Sequence, residues 1–456
     1  MVQAMNVRRD GRLIGLVLLT AAACGPDKDI DFTITGGTET PMTDPTMPPT
    51  TQTTVPGEST GSTGDVDPTT EGGDTTSPGS NQVDVLFVID NSGSMGPTQG
   101  RLAASIGAFV NVLEGAGLDY RVAVTTTDSG NPRCAMTAPE GGNFVMSSCL
   151  DRVAAGEFEY NGEDFTSACQ DFCAFSDSEL SVVPTTTETD DAAVPRPWLE
   201  RTAGQLNVEG ASATQALQCY LPQGVVGCGF ESQLESMYLG LAKAQDQNSK
   251  NYGFLRYGAQ LAVVIVTDEA DCSYSPGAKE IFTTNKVFWN SPDDPAPTSA
   301  LCWRAGVECS GPGPYSECHA ENHDLDGSPG ASDAQAVLQP LSKYVDFVKG
   351  IEQQKQPGQR VKVSLIAGVP VGYDSLDAEI VYADAEDDSQ FLFGIGPGCE
   401  RSEGSGTQIA VPPVREREFA EAFTLDPATA RNLYSICDGE FSAALTHIAD
   451  EIADGA

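Results

Sequence analysis

The chain has 456 residues, of which 65 are acidic and 25 are basic, and its formal net charge at pH 7 is −40. This charge excludes nucleic acid as a natural partner and disfavours anionic membrane surfaces, because both present negative phosphate groups. The chain has three histidines and lacks a G-x-S-x-G elbow, a P-loop and a metalloprotease helix, so we do not expect an enzyme.

Residues 1–23 have the layout of a bacterial export signal. Three arginines precede the apolar run LIGLVLLTAAA, which is too short to span a membrane. Small residues then lead into Cys24, and this pattern resembles the lipobox of bacterial lipoproteins, whose cysteine becomes the acylated N-terminus. Ordinary cleavage without a lipid is the alternative. By the same resemblance, Gly25 favours the outer membrane, so we expect an exported chain that contacts the membrane through the lipid anchor alone.

Residues 24–80 predict a tether. Thr, Pro, Gly, Ser and acidic residues dominate this segment. It has too little apolar surface to offset the entropy lost on folding, so we expect a disordered, semi-extended linker.

Residues 83–95, VDVLFVIDNSGSM, are the stretch around which the rest of the chain is organised. The run before Asp90 is apolar on both faces, as a central parallel strand requires. Asp90, Ser92 and Ser94 follow at intervals of two, so three oxygen-bearing side chains can converge beyond the end of the strand. Mg²⁺ or Mn²⁺ prefers such ligands. The alternative is that these residues cap the helix that follows.

A second buried strand, QLAVVIVTD at 260–268, also ends in an acid, Asp268. In an open α/β sheet, ligands bind beyond the carboxyl ends of the strands, so we expect Asp90 and Asp268 to face one ion. The pattern D-x-S-x-S after a buried strand, with a later strand ending in T-D, resembles a von Willebrand factor type A (VWFA) domain. The resemblance implies a doubly wound, mostly parallel α/β sheet and a metal-ion-dependent adhesion site (MIDAS). By resemblance, Ser92 and Ser94 ligate one Mg²⁺ or Mn²⁺ directly. Asp90 and Asp268 act largely through water, and a sixth position is left for a partner's acidic group.

One member of the family pattern is missing. The family usually supplies a threonine from a loop before the strand that ends in Asp268, but the corresponding residues 227–244 contain none. Glu231 is the best substitute, and its alternative role is a first-turn acid favoured by the helix dipole. A carboxylate at that position would lower the net charge of the ion and weaken its attraction for an acidic partner.

The composition from residue 81 onward is globular, and we expect one domain, 81–456, with insertions at about 129–226 and 270–330. Alternating strand and helix patterns support a mostly parallel sheet. The other predicted elements are a helix over 102–113, a strand over 119–128, helices over 234–244 and 336–348, a strand over 361–370 and a helix from about 440. The threonines of the strand over 119–128 could approach the ion, but we favour an ordinary exposed strand end.

Cysteine usage agrees with export. The chain has 13 cysteines, and lipidation of Cys24 leaves an even number for disulfides. Because short loops close most easily, the predicted pairs are Cys134–Cys149, Cys169–Cys173, Cys219–Cys228, Cys272–Cys302, Cys309–Cys318 and Cys399–Cys437. These pairs are expected to hold loops that lack hydrophobic cores of their own.

A second candidate ion site lies at 322–333, NHDLDGSPGASD. Asn322, Asp324, Asp326 and Asp333 occupy positions 1, 3, 5 and 12 of a loop like that of an EF-hand, which predicts Ca²⁺. The alternative is a solvated acidic turn.

Three functional hypotheses remain from the sequence. We favour an envelope-anchored, divalent-metal-dependent adhesion or protein-binding module that recognises an unknown protein or surface ligand. The second is a hydrolase in which Asp90, Asp268, Glu269 and Asp271 activate water on one or two metal ions. The third is a structural envelope component with a degenerate metal site.

Overall fold

The apolar run after residue 81 forms the central strand of a seven-stranded sheet. The computed structural model describes residues 81–403, 406–424 and 431–455. The predicted signal peptide, Cys24 and the tether therefore lie outside the described residues. All of the described residues belong to one compact unit.

The strands are short except at the centre of the large sheet. In chain order they are β1 (Gln82–Ile89), β2 (Asp119–Thr126), β3 (Glu159–Tyr160), β4 (Glu163–Asp164), β5 (Leu199–Thr202), β6 (Gln205–Leu206), β7 (Gln260–Val266), β8 (Val307–Ser310), β9 (Glu317–Ala320), β10 (Val361–Ala367), β11 (Cys399–Glu403), β12 (Gly406–Ala410) and β13 (Leu433–Ser435).

The helices alternate with these strands. They are α1 (Gly96–Gly115), α2 (Cys149–Ala154), α3 (Ser167–Gln170), α4 (Ala213–Tyr220), α5 (Gln233–Lys243), a 3₁₀ helix (Pro276–Phe282), α6 (Ala300–Gly306), α7 (Leu341–Gln354), α8 (Asp388–Phe393), α9 (Val414–Glu421) and α10 (Ser442–Gly455).

The large sheet has the strand order β13-β10-β7-β1-β2-β5-β6. The first five of these strands are parallel; β5 pairs antiparallel with β2, and β6 pairs antiparallel with β5. Ile89 at the end of β1 lies opposite Thr126 in β2 and Val266 in β7, so the three strands end at the same level. Because the chain passes from β1 to β2 and later returns to the other side of β1, the winding reverses there, which is where ligands bind in such sheets.

Helices cover both faces of the sheet. Alternate residues of β1 point to opposite faces, with Phe87 on one side and Leu86 on the other. The first face packs against α1, α4 and α10, and the second packs against α5, α7 and α9. Phe87 and Phe109 form an edge-to-face pair with ring centroids 5.6 Å apart, which fixes α1 on its face. The predicted doubly wound, mostly parallel α/β sheet is therefore confirmed.

The expectation that the disulfide-bonded loops lack cores of their own is wrong for the second insertion, whereas the first insertion packs into the core of the large sheet. Within 129–226, β5 and β6 extend the large sheet, and Leu199 and Leu217 join the core that contains α1. Within 270–330, Phe282 and Trp289 pack in a separate core. The sequence pattern does not reveal this, because the apolar residues of each insertion are spread over several short elements.

Six disulfides join the twelve cysteines after Cys24. Cys272–Cys302, Cys309–Cys318 and Cys399–Cys437 are the predicted pairs. The other three predictions, Cys134–Cys149, Cys169–Cys173 and Cys219–Cys228, are wrong, because the pairs are Cys134–Cys228, Cys149–Cys169 and Cys173–Cys219. Loop length fails as a guide here since the first insertion folds as packed helices, which bring distant cysteines together.

The helix predicted over 336–348 begins later than expected. It is α7, which begins at Leu341 after Pro340. Ala336 and Leu338 are buried, and Leu338 belongs to the core of the second insertion. Both residues continue the helical spacing of apolar residues in the sequence. They are nevertheless not part of α7, and Leu338 is buried by packing against the second insertion. Among the described residues, no helix combines the length and apolar character needed to cross a bilayer.

The pH dependence of stability tests the packing of α9. Burial and the charge of Asp271 raise the pKa of Glu416 from 4.5 to about 8, and both carboxylate oxygens of Glu416 are buried without a hydrogen-bond partner. Between these two pH values the folded state binds more protons than the unfolded state, so the free energy of unfolding falls as the pH rises. We expect Glu416→Gln to reduce this decrease in the free energy of unfolding. The Glu416 carboxyl should account for about 1.4 kcal/mol of it for each unit by which folding raises its pKa.

Urea unfolding from pH 4.5 to about 8 measures this slope. The exposed control Glu386→Gln should keep the slope of the unmodified chain. Equal slopes for Glu416→Gln and the unmodified chain would show that Glu416 is charged without cost in the folded state.

Candidate metal centre

Asp90 organises the loop that follows β1. It is fully buried, and its own N–H donates to the Val266 carbonyl at 2.9 Å, which continues the pairing with β7. Its Oδ1 accepts the Ser92 N–H at 2.8 Å, and its Oδ2 accepts the Thr267 hydroxyl at 2.7 Å. An aspartate that accepts the N–H two residues ahead fixes a tight turn, so Asp90 directs Ser92 and Ser94 towards β7.

The two serines lead from Asp90 to Asp268. The Ser92 and Ser94 Oγ atoms are 3.2 Å apart, and the Ser94 hydroxyl donates to Asp268 Oδ1 at 3.1 Å. Asp268 is 1 % exposed and Ser92 is 3 % exposed, whereas Ser94 is half-buried. The structure thus brings together the four residues that the two sequence patterns single out.

Two glutamines that the sequence analysis missed support these groups. Gln99 on α1 donates to the Asp90 carbonyl at 2.9 Å and to the Gly224 carbonyl at 2.8 Å. Gln408 on β12 donates to Thr98 Oγ1 at 2.7 Å and more weakly to Asp268 Oδ2 at 3.4 Å. Gln99 precedes Leu102 by three residues, so a polar residue on the buried stripe of α1 was a usable signal. Gln408 has no comparable signal near it in the sequence.

Glu231 lies in the loop before α5 and is 1 % exposed. Both of its carboxylate oxygens are buried, and the neighbouring group that its carboxyl meets is another acid, Glu269. The loop is held in place by the Cys134–Cys228 disulfide and by the Cys228 N–H, which donates to Asp128 Oδ2 at 3.2 Å. The Glu231 carbonyl also accepts the Cys272 N–H at 2.7 Å. The residue that the sequence offers in place of the missing threonine is therefore buried beside the segment that follows Asp268.

Four carboxyl groups influence one another at this edge of the sheet. Burial, with the charges of Asp90 and Glu269, raises the pKa of Asp268 well above its ordinary value. Burial and the charges of Glu269 and Asp90 do the same to the pKa of Glu231. Burial and Asp90 raise the pKa of Glu269 to about 7, and burial also raises the pKa of Asp90. All four shifts have desolvation as their largest cause, so each carboxylate loses solvation without gaining enough favourable partners.

Other buried acids of the sheet do have basic partners. Asp84, at the opposite end of β1, pairs with Arg256 at 2.8 Å. Asp271 pairs with Arg415 at 3.2 Å and also accepts the Ser273 hydroxyl, so it is not available to the hydrolytic group that the sequence suggested. The ion pairs that form among the described residues include none of Asp90, Asp268, Glu231 and Glu269. Buried acids without such partners must either be protonated or be neutralised by a cation.

The oxygen-rich chemistry of the cluster suits a hard cation with a mixed set of ligands. The carboxylates here do not bring three ligand oxygens within 4.8 Å of one another; among the described residues that criterion is met by Cys149, Cys169 and Cys173, whose sulfurs are in disulfides. The structure therefore does not contain a preformed metal coordination sphere made of several carboxylates. Serine hydroxyls, one or two acids and water fit the geometry better, and Mg²⁺ prefers such a set.

Access to the cluster is narrow. The ring of Tyr160, from the β3–β4 hairpin, lies against Gly93 and leaves no room for a Cβ there. Asp90, Ser92, Asp268 and Glu231 are all buried, whereas Ser94 and Glu269 are half-buried. Any partner must therefore approach along the side where Ser94 and Glu269 are partly accessible.

The predicted calcium loop forms a hydrogen-bonded turn and not an EF-hand. It follows strand β9, and α7 begins eight residues after Asp333. Asp324 Oδ1 accepts the N–H groups of Asp326 at 2.9 Å and Ser328 at 3.0 Å, and Asn322 donates to Asp333 Oδ1 at 3.2 Å. The carboxylate that should bind calcium is thus occupied in closing a turn. Calcium binding at this turn stays a prediction.

Comparisons with known proteins add little. No family model matches the chain, and no curated protein matches it. The chain is similar to the pilus adhesin SpaC from Lactobacillus rhamnosus GG in two crystal structures. Its open conformation gives 11 % identity and a TM-score of 0.32, and a second crystal form gives 10 % and 0.30. Each match covers 82 % of this chain but 30 % of the adhesin, so the chain spans less than a third of that protein. TM-scores this low carry no argument about function.

The Cys134–Cys228 disulfide should control the order of the loop that carries Glu231. We expect the double substitution Cys134→Ser and Cys228→Ser to lower the free energy of unfolding by ~2–4 kcal/mol. It should also speed hydrogen exchange at the amides of Gly227 and Ser232, which donate to the Asn91 and Thr127 carbonyls.

The matched control is the double substitution Cys309→Ser and Cys318→Ser, which opens the β8–β9 hairpin and should leave those amides protected. Unchanged exchange at Gly227 and Ser232 after loss of Cys134–Cys228 would show that the disulfide does not hold this loop.

Proposed function

We propose that the carboxyl edge of β1 and β7 binds one Mg²⁺ or Mn²⁺ ion, and that the chain is an exported binding module of the von Willebrand factor A type. In this proposal the module recognises a protein or surface ligand through the ion. The observation that carries it is the group formed by the buried acids Asp90, Asp268 and Glu231 and the half-buried Glu269, none of which forms an ion pair with a basic side chain among the described residues. The group lies where the winding of the parallel sheet reverses, beside two serine hydroxyls.

The residues of this site would have different roles, because their side chains differ in charge and in the hydrogen bonds that they already make. Ser92 and Ser94 offer neutral hydroxyl oxygens, and Asp268 already accepts the Ser94 hydroxyl. Asp90 is occupied with the Ser92 N–H and with Thr267, so its main role is to hold the loop in position. When bound, the ion would supply a Lewis-acidic position for an oxygen atom of the partner. Ser94 and Glu269 lie on the side from which that atom can enter.

Export is part of the same proposal. Six disulfides would persist in an oxidising compartment and not in a bacterial cytoplasm, which supports a location outside the inner membrane. The lipobox resemblance at Cys24 supports a lipid anchor, with the outer membrane as the proposed location.

Burial favours one alternative. Because Asp90, Ser92 and Asp268 are almost completely shielded, an ion held by them could stabilise the fold without meeting a partner. The chain would then be a structural envelope component. The two functions differ in one property, since a binding module must keep one coordination position open to solvent.

Calorimetric titration with Mg²⁺, Mn²⁺ and Ca²⁺ tests the ion. We expect one Mg²⁺ or Mn²⁺ per chain, and Ser92→Ala should weaken that binding at least ~10-fold, because a lost ligand or orienting group typically costs this much. Asp324→Ala is the matched control, as Asp324 lies in the separate turn of the second insertion and should not change Mg²⁺ affinity. Undiminished Mg²⁺ binding by Ser92→Ala would contradict the site. Exchange of an ion-bound water, measured by relaxation of Mn²⁺-loaded protein, separates the module from the structural alternative.

Fractionation of expressing cells tests the anchor. The unmodified chain should be found with the outer membrane, and Cys24→Ala should release it or block its processing, since the acyl chains are the proposed membrane contact. Recovery of Cys24→Ala in the membrane fraction, in the same amount as the unmodified chain, would contradict lipid anchoring.

A further inference from the structure

Asp90 stands between two threonines at the carboxyl edge of the sheet. Ile89 pairs with Thr126 in β2 and with Val266 in β7, so the next residue of each strand places Thr127 and Thr267 on either side of Asp90. The Thr127 N–H donates to the Ile89 carbonyl at 3.1 Å, which extends this register past the end of the strands. Because side chains alternate along a strand, all three point to the face that α5 covers.

The two threonines differ in what their hydroxyls contact. Thr267 donates to Asp90 Oδ2 at 2.7 Å and accepts the Gln233 side-chain amide at 2.8 Å. Thr127 is equally buried, at 0 % exposure, but its hydroxyl has no hydrogen-bond partner among the described residues. The sequence suggested that the threonines at the end of β2 lie at an exposed strand end, and this was wrong. A buried hydroxyl without a partner costs free energy, so its position calls for a physical cause.

The loop that carries Glu231 is held against the end of β2. The N–H of the next residue, Ser232, donates to the Thr127 carbonyl at 3.0 Å, which places the loop before α5 over the end of β2. Both carboxylate oxygens of Glu231 are buried as well, and this carboxyl lies close enough to Asp90 and Glu269 for their charges to raise its pKa. The unpartnered Thr127 hydroxyl therefore flanks Asp90 on the β2 side, and the Glu231 carboxyl also lies close to Asp90. Both groups offer oxygen atoms that can accept a cation.

We propose that Thr127 and Glu231 complete the coordination of the ion described above, and that they replace the threonine missing from 227–244. This inference rests on the proposed function. Thr127 supplies the neutral hydroxyl from a strand end instead of from the loop before α5, and Glu231 adds a carboxylate. Glu231 adds a third carboxyl group to Asp90 and Asp268 around a divalent ion, so the charge of the ion is offset and it attracts an acidic partner group only weakly.

Metal titration of four variants tests this assignment. Thr127→Val keeps the shape of the side chain and removes the hydroxyl, and it should weaken Mg²⁺ and Mn²⁺ binding at least ~10-fold, as should Glu231→Gln. Thr127→Ser keeps the hydroxyl and should retain the affinity. Thr125→Val is the matched control, because Thr125 is also fully buried on β2 but donates to the Asn143 carbonyl at 3.0 Å. Its metal affinity should not change.

A thermal melt of the metal-free proteins separates binding from folding. Since the Thr127 hydroxyl has no hydrogen-bond partner in the described part of the chain, Thr127→Val should melt at the same temperature as the unmodified chain or above it, so a weaker affinity cannot be ascribed to unfolding. Unmodified affinity in Thr127→Val overturns the inference, and so does a change from two bound ions to one, which would assign Thr127 to a separate site. If Ser92→Ala loses the ion while Thr127→Val keeps it, this inference alone fails. If neither variant loses it, the proposed function fails as well.

Discussion

The burial of several carboxyl groups at one edge of a parallel sheet is the constraint on which the rest of the structure depends. Among the described residues these groups form no ion pair, although the charge of Arg101 acts on Asp268. Strand β1 has a buried aspartate at each end, and the two aspartates have different partners. At its start, Asp84 is neutralised by Arg256, which donates to it at 2.8 Å. At its end, Asp90 accepts a hydroxyl and an N–H but pairs with no basic side chain among the described residues, and burial together with nearby carboxylates raises the pKa of Asp268, Glu231 and Glu269. Burying such a group lowers the free energy of unfolding unless a cation neutralises the carboxylates.

The first insertion and the C-terminal segment surround these carboxyl groups and hold them in position. The first insertion places Tyr160 against Gly93, and its disulfide from Cys134 to Cys228 holds the loop that carries Glu231. The C-terminal segment brings Gln408 to Asp268 on a hairpin that Cys399–Cys437 ties to the end of β13. The disulfides therefore hold residues of the candidate centre in position as well as closing loops. This also explains why the centre is less open than a flat binding surface.

The sequence predicts the part of the centre that depends on local spacing. Asp90, Ser92 and Ser94 are close in the chain, and the apolar runs before Asp90 and Asp268 require buried parallel strands. Features that depend on long-range packing could not be predicted in this way. Gln408 reaches Asp268 from 140 residues away. The burial of Thr127 results from the loop before α5, which packs over the end of β2. Three of the predicted disulfide pairs were wrong because helix packing, and not loop length, decides which cysteines meet.

Anomalous diffraction from crystals grown with Mn²⁺ tests the central claim most directly, because it locates the ion without reference to activity. The account predicts one strong peak beside Asp90, about 2.1 Å from the hydroxyl oxygens of Ser92 and Ser94. A map with no peak at this edge of the sheet, or with a peak only at the Asp324 turn, would contradict it. In that case the four acids are neutralised by protonation, and the edge is a structural feature of the fold.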